Sequence, residues 1–296
     1  MDKDTYVSVI IATLAESKRA DSLKRAIQSV RDSSTQHLIS IIVVVNGNRF
    51  DKDTCRWLEA QPDVVLAQIA HGSLPAALAY GRQLVTTEYF GFLDDDDEYL
   101  PDSIDTKLAA LLSSPDSDLV ISNGLRNCNG LRTRFHESIG DVATAPLRAL
   151  FDGNWLASCG ALYRSASMEP TFFEDLHPYA EWTWLAYRVA LAGKIIATVD
   201  TPCFVINDTP GSLSKSAAFR AGYLALYRRM LDAAPPAQIV TTIKQKRGAA
   251  WHDASVDALG KRQLLEAFKY HLYSLTCPDG KRYLAYTRRL IPGWPN

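Results

Sequence analysis

Short runs of β-branched residues alternate with amphipathic helical segments from Val7 to Ser122, and polar turns separate them. Val7-Ser8-Val9-Ile10-Ile11-Ala12-Thr13 reads as a buried strand, with Thr13 to Ser17 as the loop at its carboxyl end. Leu23, Ala26, Ile27 and Val30 then recur at helical spacing, while Lys18, Arg19, Lys24, Arg25 and Arg31 fill the other faces. Ile39 to Val45 is a second strand closed by the turn Asn46-Gly47-Asn48; a short helix from Thr54 to Ala60 and a third strand, Val64 to Ile69, follow. Strands that alternate with helices in this way form a mainly parallel sheet with right-handed crossovers and helices on both faces. The fold class is therefore α/β.

Ser73 is placed to cap a helix that runs to about Val85, with Pro75 in its first turn. The next strand, Tyr89-Phe90-Gly91-Phe92-Leu93, stops in five consecutive acids, Asp94 to Glu98. Carboxylates crowded at the end of a strand repel one another unless a cation lies between them, and a hard divalent ion, Mn²⁺ or Mg²⁺, suits oxygen ligands of which substrate phosphates supply the remainder. A bare acidic run is more often a solvated turn. Here it follows a buried strand, and in open parallel sheets ligands sit outside the carboxyl ends of the strands. Thr13 to Glu16, Asn46 to Asn48 and Asp94 to Asp97 share that edge, so one nucleotide-sized site touches all three.

A helix from Pro101 to about Leu112 and a strand from Asp118 to Ser122 continue the alternation, after which the texture changes. Arg126 to Arg134 is a hairpin or a loop, Thr144 to Asp152 a short helix, and Gly160 to Tyr163 strand-like. The helix Glu181 to Leu191 ends at Gly193; Ile195 to Val199 and Cys203 to Ile206 read as two strands, and Thr209 to Ser212 as a turn. Residues 1–215 are expected to form the α/β domain and residues 216–296 a helical extension, broken at Pro235-Pro236 and at Cys277-Pro278-Asp279-Gly280.

A formal net charge of −1 gives no global field for nucleic acid. The five cysteines show no C-x-x-C spacing, which argues against zinc and against a disulfide framework. No apolar run approaches the ~18 residues needed to span a bilayer. The expected location is cytoplasmic, with peripheral contact at the inner face of the membrane as an open alternative. That alternative rests on the segment from Lys261, where seven Lys/Arg stand against Glu266 and Asp279, interleaved with aromatic residues. A dimerisation helix and an ordinary packed surface helix are the competing readings.

The chain resembles the family 2 glycosyltransferases of the GT-A fold over roughly residues 6 to 216. Val7 to Ile11 is similar to their opening strand, Ile42 to Asn48 to the second strand with its Asp-Gly-Ser turn, and Tyr89 to Asp97 to the strand that ends in the D-x-D-D motif. The helix with Glu181, Trp182 and Arg188 resembles the segment that carries that family's catalytic base.

The resemblance implies a metal-dependent, inverting transfer of one sugar from a nucleotide-diphosphate sugar, a UDP-sugar by expectation, to a glycan or lipid-linked acceptor hydroxyl, in bacterial surface or secreted glycan synthesis. It implies Asp96 as metal ligand, Asp94 toward the ribose or sharing the metal through water, and Thr13, Glu16, Asn46 and Asp95 along the donor. Glu181 is the implied base, with Asp175 as substitute. The chain departs from the family pattern at Asn46, where an Asp is usual and an amide can donate as well as accept. It departs again at Ala77 to Gly81, where an A-R-N-x-G pattern is usual, and the Q-x-x-R-W motif of processive synthases is missing.

Other readings accompany these. Glu181 also reads as a helix-terminal acid favoured by the macrodipole. Trp182 and Trp184 cannot share a helix face, so one belongs to the core and the other is free to line an acceptor pocket. Ser212, Ser214 and Lys215 form either a loop over the diphosphate or a solvated one. A nucleotidyltransferase is the first rival function, although Thr13 to Ser17 is neither Gly-rich nor basic as a triphosphate loop would be. A catalytically degenerate nucleotide- or glycan-binding protein is the second.

Overall fold

The computed structural model describes residues 5–208 and 217–291. Two compact units divide the chain, Met1–Pro210 and Gly211–Asn296. The expected turn at Thr209 to Ser212, the Ser212 to Lys215 loop and the 215/216 boundary lie outside the described residues.

In the first unit, β1 (Thr5–Thr13), α1 (Ala20–Arg31), β2 (Leu38–Asn46), α2 (Lys52–Glu59), β3 (Val64–Ile69), α3 (Leu74–Gln83) and β4 (Tyr89–Phe92) follow in the order that the alternation dictates. Leu23, Ala26, Ile27 and Val30 are the buried residues of α1, at the spacing of one helical face. Ser73 accepts from the Ala76 amide at the start of α3, and Asp51 caps α2 from the Thr54 amide at 2.8 Å. Helix α3 lies close on the sheet at Gly81, where an added Cβ would stand 2.4 Å from Ile10 Cγ2.

The remaining elements are β5 (Glu98–Tyr99), α4 (Ser103–Ser113), β6 (Leu119–Cys128), β7 (Leu131–Arg134), α5 (Gly140–Thr144), α6 (Pro146–Asp152), β8 (Ala161–Arg164), α7 (Glu181–Leu191) and β9 (Ile196–Asn207). The sheet order is β3-β2-β1-β4-β8-β6-β9-β5, with β7 paired to β6. β1 is parallel to β2 and β4, β2 to β3, and β6 to β9; β8 runs antiparallel to β4 and β6, β7 to β6, and β5 to β9. This is the mixed α/β sheet flanked by helices that the pattern implies.

Two local expectations need correction. The two strands expected around Pro202 are one, β9, which stays beside β6 through register shifts between Ser122 and Leu125; Pro202 sits opposite Asn123 at such a shift, where a missing N–H is tolerated. The single helix expected from Thr144 to Asp152 is two, because Pro146 excludes the helical region for Ala145, whose φ is −142°. Of the two readings left open for Arg126 to Arg134, the structure has the hairpin, formed by β6 and β7.

The core beneath the acidic turn holds a buried cation. Lys107 is fully buried, donates to the Cys159 carbonyl at 3.3 Å and lies 4.1 Å from the centre of the Tyr99 ring. Burial pushes its pKa down to about 8. Tyr99 in turn donates to the Phe92 carbonyl at 2.9 Å, fixing the strand end from which the acids emerge.

The second unit is helical: α8 (Ala217–Asp232), α9 (Ala237–Gly260), α10 (Leu264–Leu275), a 3-10 segment (Gly280–Tyr286) and α11 (Thr287–Leu290). α10 buries Ala267, His271 and Ser274, one narrow small-residue face, and the Ala267 carbonyl accepts from Ser255 of α9 at 2.6 Å. Among the described residues no helix is long and apolar enough to cross a membrane.

Candidate active site

The parallel register that pairs Ile10 with Phe92 brings the end of β1 beside the acidic turn. Leu93 extends the pairing by donating to the Ile10 carbonyl at 3.0 Å, and the Asp97 amide closes the turn on the Asp94 carbonyl at 3.1 Å. The chain then leaves the sheet with its carboxylates at the carboxyl edge, as the strand–turn pattern requires.

Each acid has a different environment. Asp95 is buried and accepts from Thr13 Oγ1 at 2.6 Å and from Arg19, whose Nε lies 3.1 Å from Oδ2 and whose Nη2 bonds Oδ1. The same Nη2 lies 3.2 Å from Asp96 Oδ2. Burial alone would lower the Arg19 pKa; the hydrogen bond and charge of Asp95, with the charge of Asp96, outweigh it and hold the guanidinium above its ordinary value. Asp97 is buried and accepts from the Asn207 amide at 2.8 Å; burial and then the charge of Asp94 hold it well above the carboxylate range.

Asp94 accepts from Ser158 Oγ at 2.8 Å. Burial first, and then the Asp96 carboxylate, push its pKa up to about 7, with smaller contributions from Asp95 and Glu181. The Trp182 ring, 5.2 Å from that of Phe92, packs the start of α7 on the strand that ends in the acidic turn. Glu181 is itself buried, accepts from the Tyr179 amide at 3.0 Å and has its pKa raised by burial. Tyr179 takes a left-handed φ of 67° to make that approach.

The other predicted residues divide. Thr13 holds the site together through Asp95 and through the Ala15 amide, which donates to its Oγ1 at 2.9 Å. Asn46 Oδ1 accepts from the Ser73 amide at 2.6 Å, tying the end of β2 to the start of α3. A backbone N–H must meet an acceptor, so the amide nitrogen of Asn46 faces away from that bond. Glu16 pairs with Lys18 at 2.7 Å on the surface, and Asp175 is exposed, with its backbone carbonyl accepting from Trp184 Nε1 at 2.8 Å. Trp184 is buried and stacks on Tyr187, whereas Trp182 is half-buried with its ring 5.2 Å from that of Phe92.

Arg19, Ser158 and Asn207 are the functional-site neighbours that the sequence pattern did not single out. A signal for Arg19 existed: five acids at one edge call for cations, and Lys18 and Arg19 stand in the loop after the strand that neighbours theirs. Nothing local marks Ser158 or Asn207, which reach the turn from 64 and 111 residues away.

Among the described residues no group of three or more His, Cys, Asp or Glu is arranged to hold a metal ion. Mg²⁺ and ions like it are commonly held by one or two carboxylates and completed by substrate phosphates. Asp94 and Asp96 supply hard oxygen donors whose proximity already disfavours their joint ionisation, so this donor set fits such an ion.

Comparison with known proteins agrees with the fold. The chain is 27% identical over 192 residues to an uncharacterised glycosyltransferase of Rickettsia typhi, covering 62% of this chain and 60% of that protein, under two thirds of the relative's length. Among solved structures it is similar to residues 1–349 of S. aureus TarS in complex with UDP-GlcNAc, at a TM-score of 0.63 and 14% identity, covering 96% of this chain and 85% of that one. The UDP complex of the same TarS fragment matches at a TM-score of 0.56 and 12% identity, over 84% and 71% of the respective chains. Residues 8–169, more than half of the sequence, match the family model described as Glycosyl transferase family 2, and the chain belongs to that family.

Proposed function

We propose that this chain transfers a single sugar from a nucleotide-diphosphate sugar, with UDP as the expected carrier, to an acceptor hydroxyl on a glycan or lipid-linked glycan, with inversion at the anomeric carbon. The observation that supports the reading is the packing of the first turn of α7 on the strand from which the acids emerge: the Trp182 ring lies 5.2 Å from that of Phe92, and the buried Glu181 stands next to Trp182 in the chain. The UDP and UDP-GlcNAc complexes of TarS support a uridine nucleotide donor.

Asp96, with Asp94, would hold Mn²⁺ or Mg²⁺, which when bound supplies Lewis-acid neutralisation of the leaving diphosphate. Thr13 and Arg19 keep Asp95 fixed, so that the turn presents its neighbours in one geometry. The acceptor oxygen forms its bond to the anomeric carbon as the bond from that carbon to the phosphate oxygen breaks; the electron pair leaves on the diphosphate. Glu181 takes the acceptor proton. Its burial raises its basicity toward the operating pH, the condition under which a general base works best.

The test is hydrolysis of a panel of UDP-sugars by the purified protein, with Mn²⁺ and with chelator. Metal-dependent release of UDP, abolished in Asp96→Ala, is expected of the transferase. Saturable UDP-sugar binding with no release under any condition would instead favour the noncatalytic binding protein.

A further inference from the structure

Helix α10 carries two faces of opposite use. Ala267, His271 and Ser274 face the helical unit and are buried. About a third of a turn away, Leu264, Phe268, Leu272 and Leu265 form a continuous stripe at i, i+4, i+8 and i+1 spacing. Their exposures are 47%, 42%, 47% and 88%, so this apolar arc of the helix is open to solvent along its length among the described residues. Scattered exposed leucines need no explanation, but an ordered stripe on one helix does.

The charges around this stripe identify its occupant. The 3-10 segment and α11 pack against α10. Lys261 is paired with Asp257 at 2.6 Å, and Lys269 stands 3.9 Å from Glu266. Arg262, Lys281, Arg282, Arg288 and Arg289 are exposed and have no acidic partner among the described residues. α11 meets α10 where His271 Nε2 lies 2.8 Å from Thr287 Oγ1, next in the chain to Arg288 and Arg289, so one unit carries both an exposed apolar stripe and unpaired cations, a combination complementary to a surface that is apolar inside and anionic outside. A second copy of the chain would bring the same cations together and must bury them against one another.

We infer that α10 is a docking surface for an anionic phospholipid bilayer, with Leu265, Phe268 and Leu272 entering the acyl boundary and the neighbouring arginines and lysines meeting the headgroups. Binding of this kind needs neither donor nor metal, so it stands apart from the transfer reaction.

The experiment is co-sedimentation of the full chain with phosphatidylcholine vesicles and with vesicles that also contain phosphatidylglycerol, in parallel with sedimentation velocity without lipid. Partitioning onto the anionic vesicles is expected to be stronger by more than about tenfold, since each cation near the surface contributes on the order of a kcal/mol. Added salt should weaken it. The double variant Leu265→Gln/Phe268→Gln should lose most of the binding while its circular dichroism melting curve stays unchanged, because both side chains are exposed. Equal binding to neutral vesicles, no binding to either kind, or binding indifferent to the double variant would overturn the inference. So would a concentration-dependent dimer that the double variant dissociates, which would assign the stripe to a second copy.

Discussion

Arg19 joins Asp95 and Asp96 with a single guanidinium: Nε lies 3.1 Å from Asp95 Oδ2, and Nη2 meets both Asp95 Oδ1 and Asp96 Oδ2, the latter at 3.2 Å. The two acids differ in exposure. The Asp95 side chain is 6% exposed and also accepts from Thr13, whereas that of Asp96 is 19% exposed. The turn thus has a buried acid that anchors it and a more accessible one beside it.

Arg19→Gln should therefore cost stability before it costs chemistry. Stranding a buried carboxylate costs about 3–5 kcal/mol, and partial exposure of Arg19 reduces the expectation to about 1–3 kcal/mol by chemical denaturation. Arg19→Lys should fall between, since an ammonium keeps the charge but not the planar fork. Mn²⁺ should raise the melting temperature of Arg19→Gln more than that of the wild type, because the guanidinium no longer competes for the acids. An equal shift in both would show that Arg19 does not face the ion.

Glu181→Gln should lower kcat by about 10²–10⁴ while donor affinity is retained. In the wild type, kcat/KM should fall with decreasing pH along a limb that lies above the ordinary carboxylate range, because burial raises the Glu181 pKa. The stability effect has the opposite sense. The folded protein holds this proton more tightly than the unfolded chain, so the contribution is complete below the unfolded pKa and is lost as pH rises through the folded one. Glu181→Gln keeps an acceptor for the Tyr179 amide and should melt no lower than the wild type at alkaline pH. Asp175→Asn should change kcat little; a loss as large as that of Glu181→Gln would transfer the base to Asp175.

Asn46→Asp should fold as the wild type does, because an aspartate can still accept from the Ser73 amide, whereas Asn46→Ala should lose about 1 kcal/mol with that bond. The amide nitrogen of Asn46 offers a donor where an aspartate offers only acceptors. Asn46→Asp should accordingly raise the affinity for UDP relative to CDP, because uracil presents a donor N–H at N3 where cytosine presents an acceptor. Calorimetric titration of both nucleotides against both proteins reads this directly.

Gly81→Ala should destabilise the first unit by about 1–3 kcal/mol, the cost of overpacking, because the new methyl would meet Ile10 Cγ2 at 2.4 Å and Val44 Cγ2 at 3.2 Å. A neutral result in thermal denaturation would mean that α3 can lift from the sheet at no cost.

The first four strands and their helices were legible because each depends on local periodicity: Leu23, Ala26, Ile27 and Val30 can face one way only if the helix packs on the sheet that Val7 to Ile11 begins. The edge location of the acids followed from that topology. What local pattern cannot carry is pairing across the chain. β5 has two residues and owes its existence to β9, and the buried site contacts of Ser158 and Asn207 join segments that no periodicity relates. The union of two expected strands into β9 was hidden by Pro202, which reads as a break and is accommodated by a shift in register.

In the proposed reaction the acidic turn binds the donor diphosphate through a metal at Asp96 while Glu181 serves the acceptor. Calorimetric titration with UDP, with and without Mn²⁺, on the wild type, Asp96→Ala and Glu181→Gln tests it most directly. Mn²⁺-dependent binding is expected in the wild type and in Glu181→Gln, and its loss in Asp96→Ala. Binding to Asp96→Ala that matches the wild type in both affinity and metal dependence would contradict it.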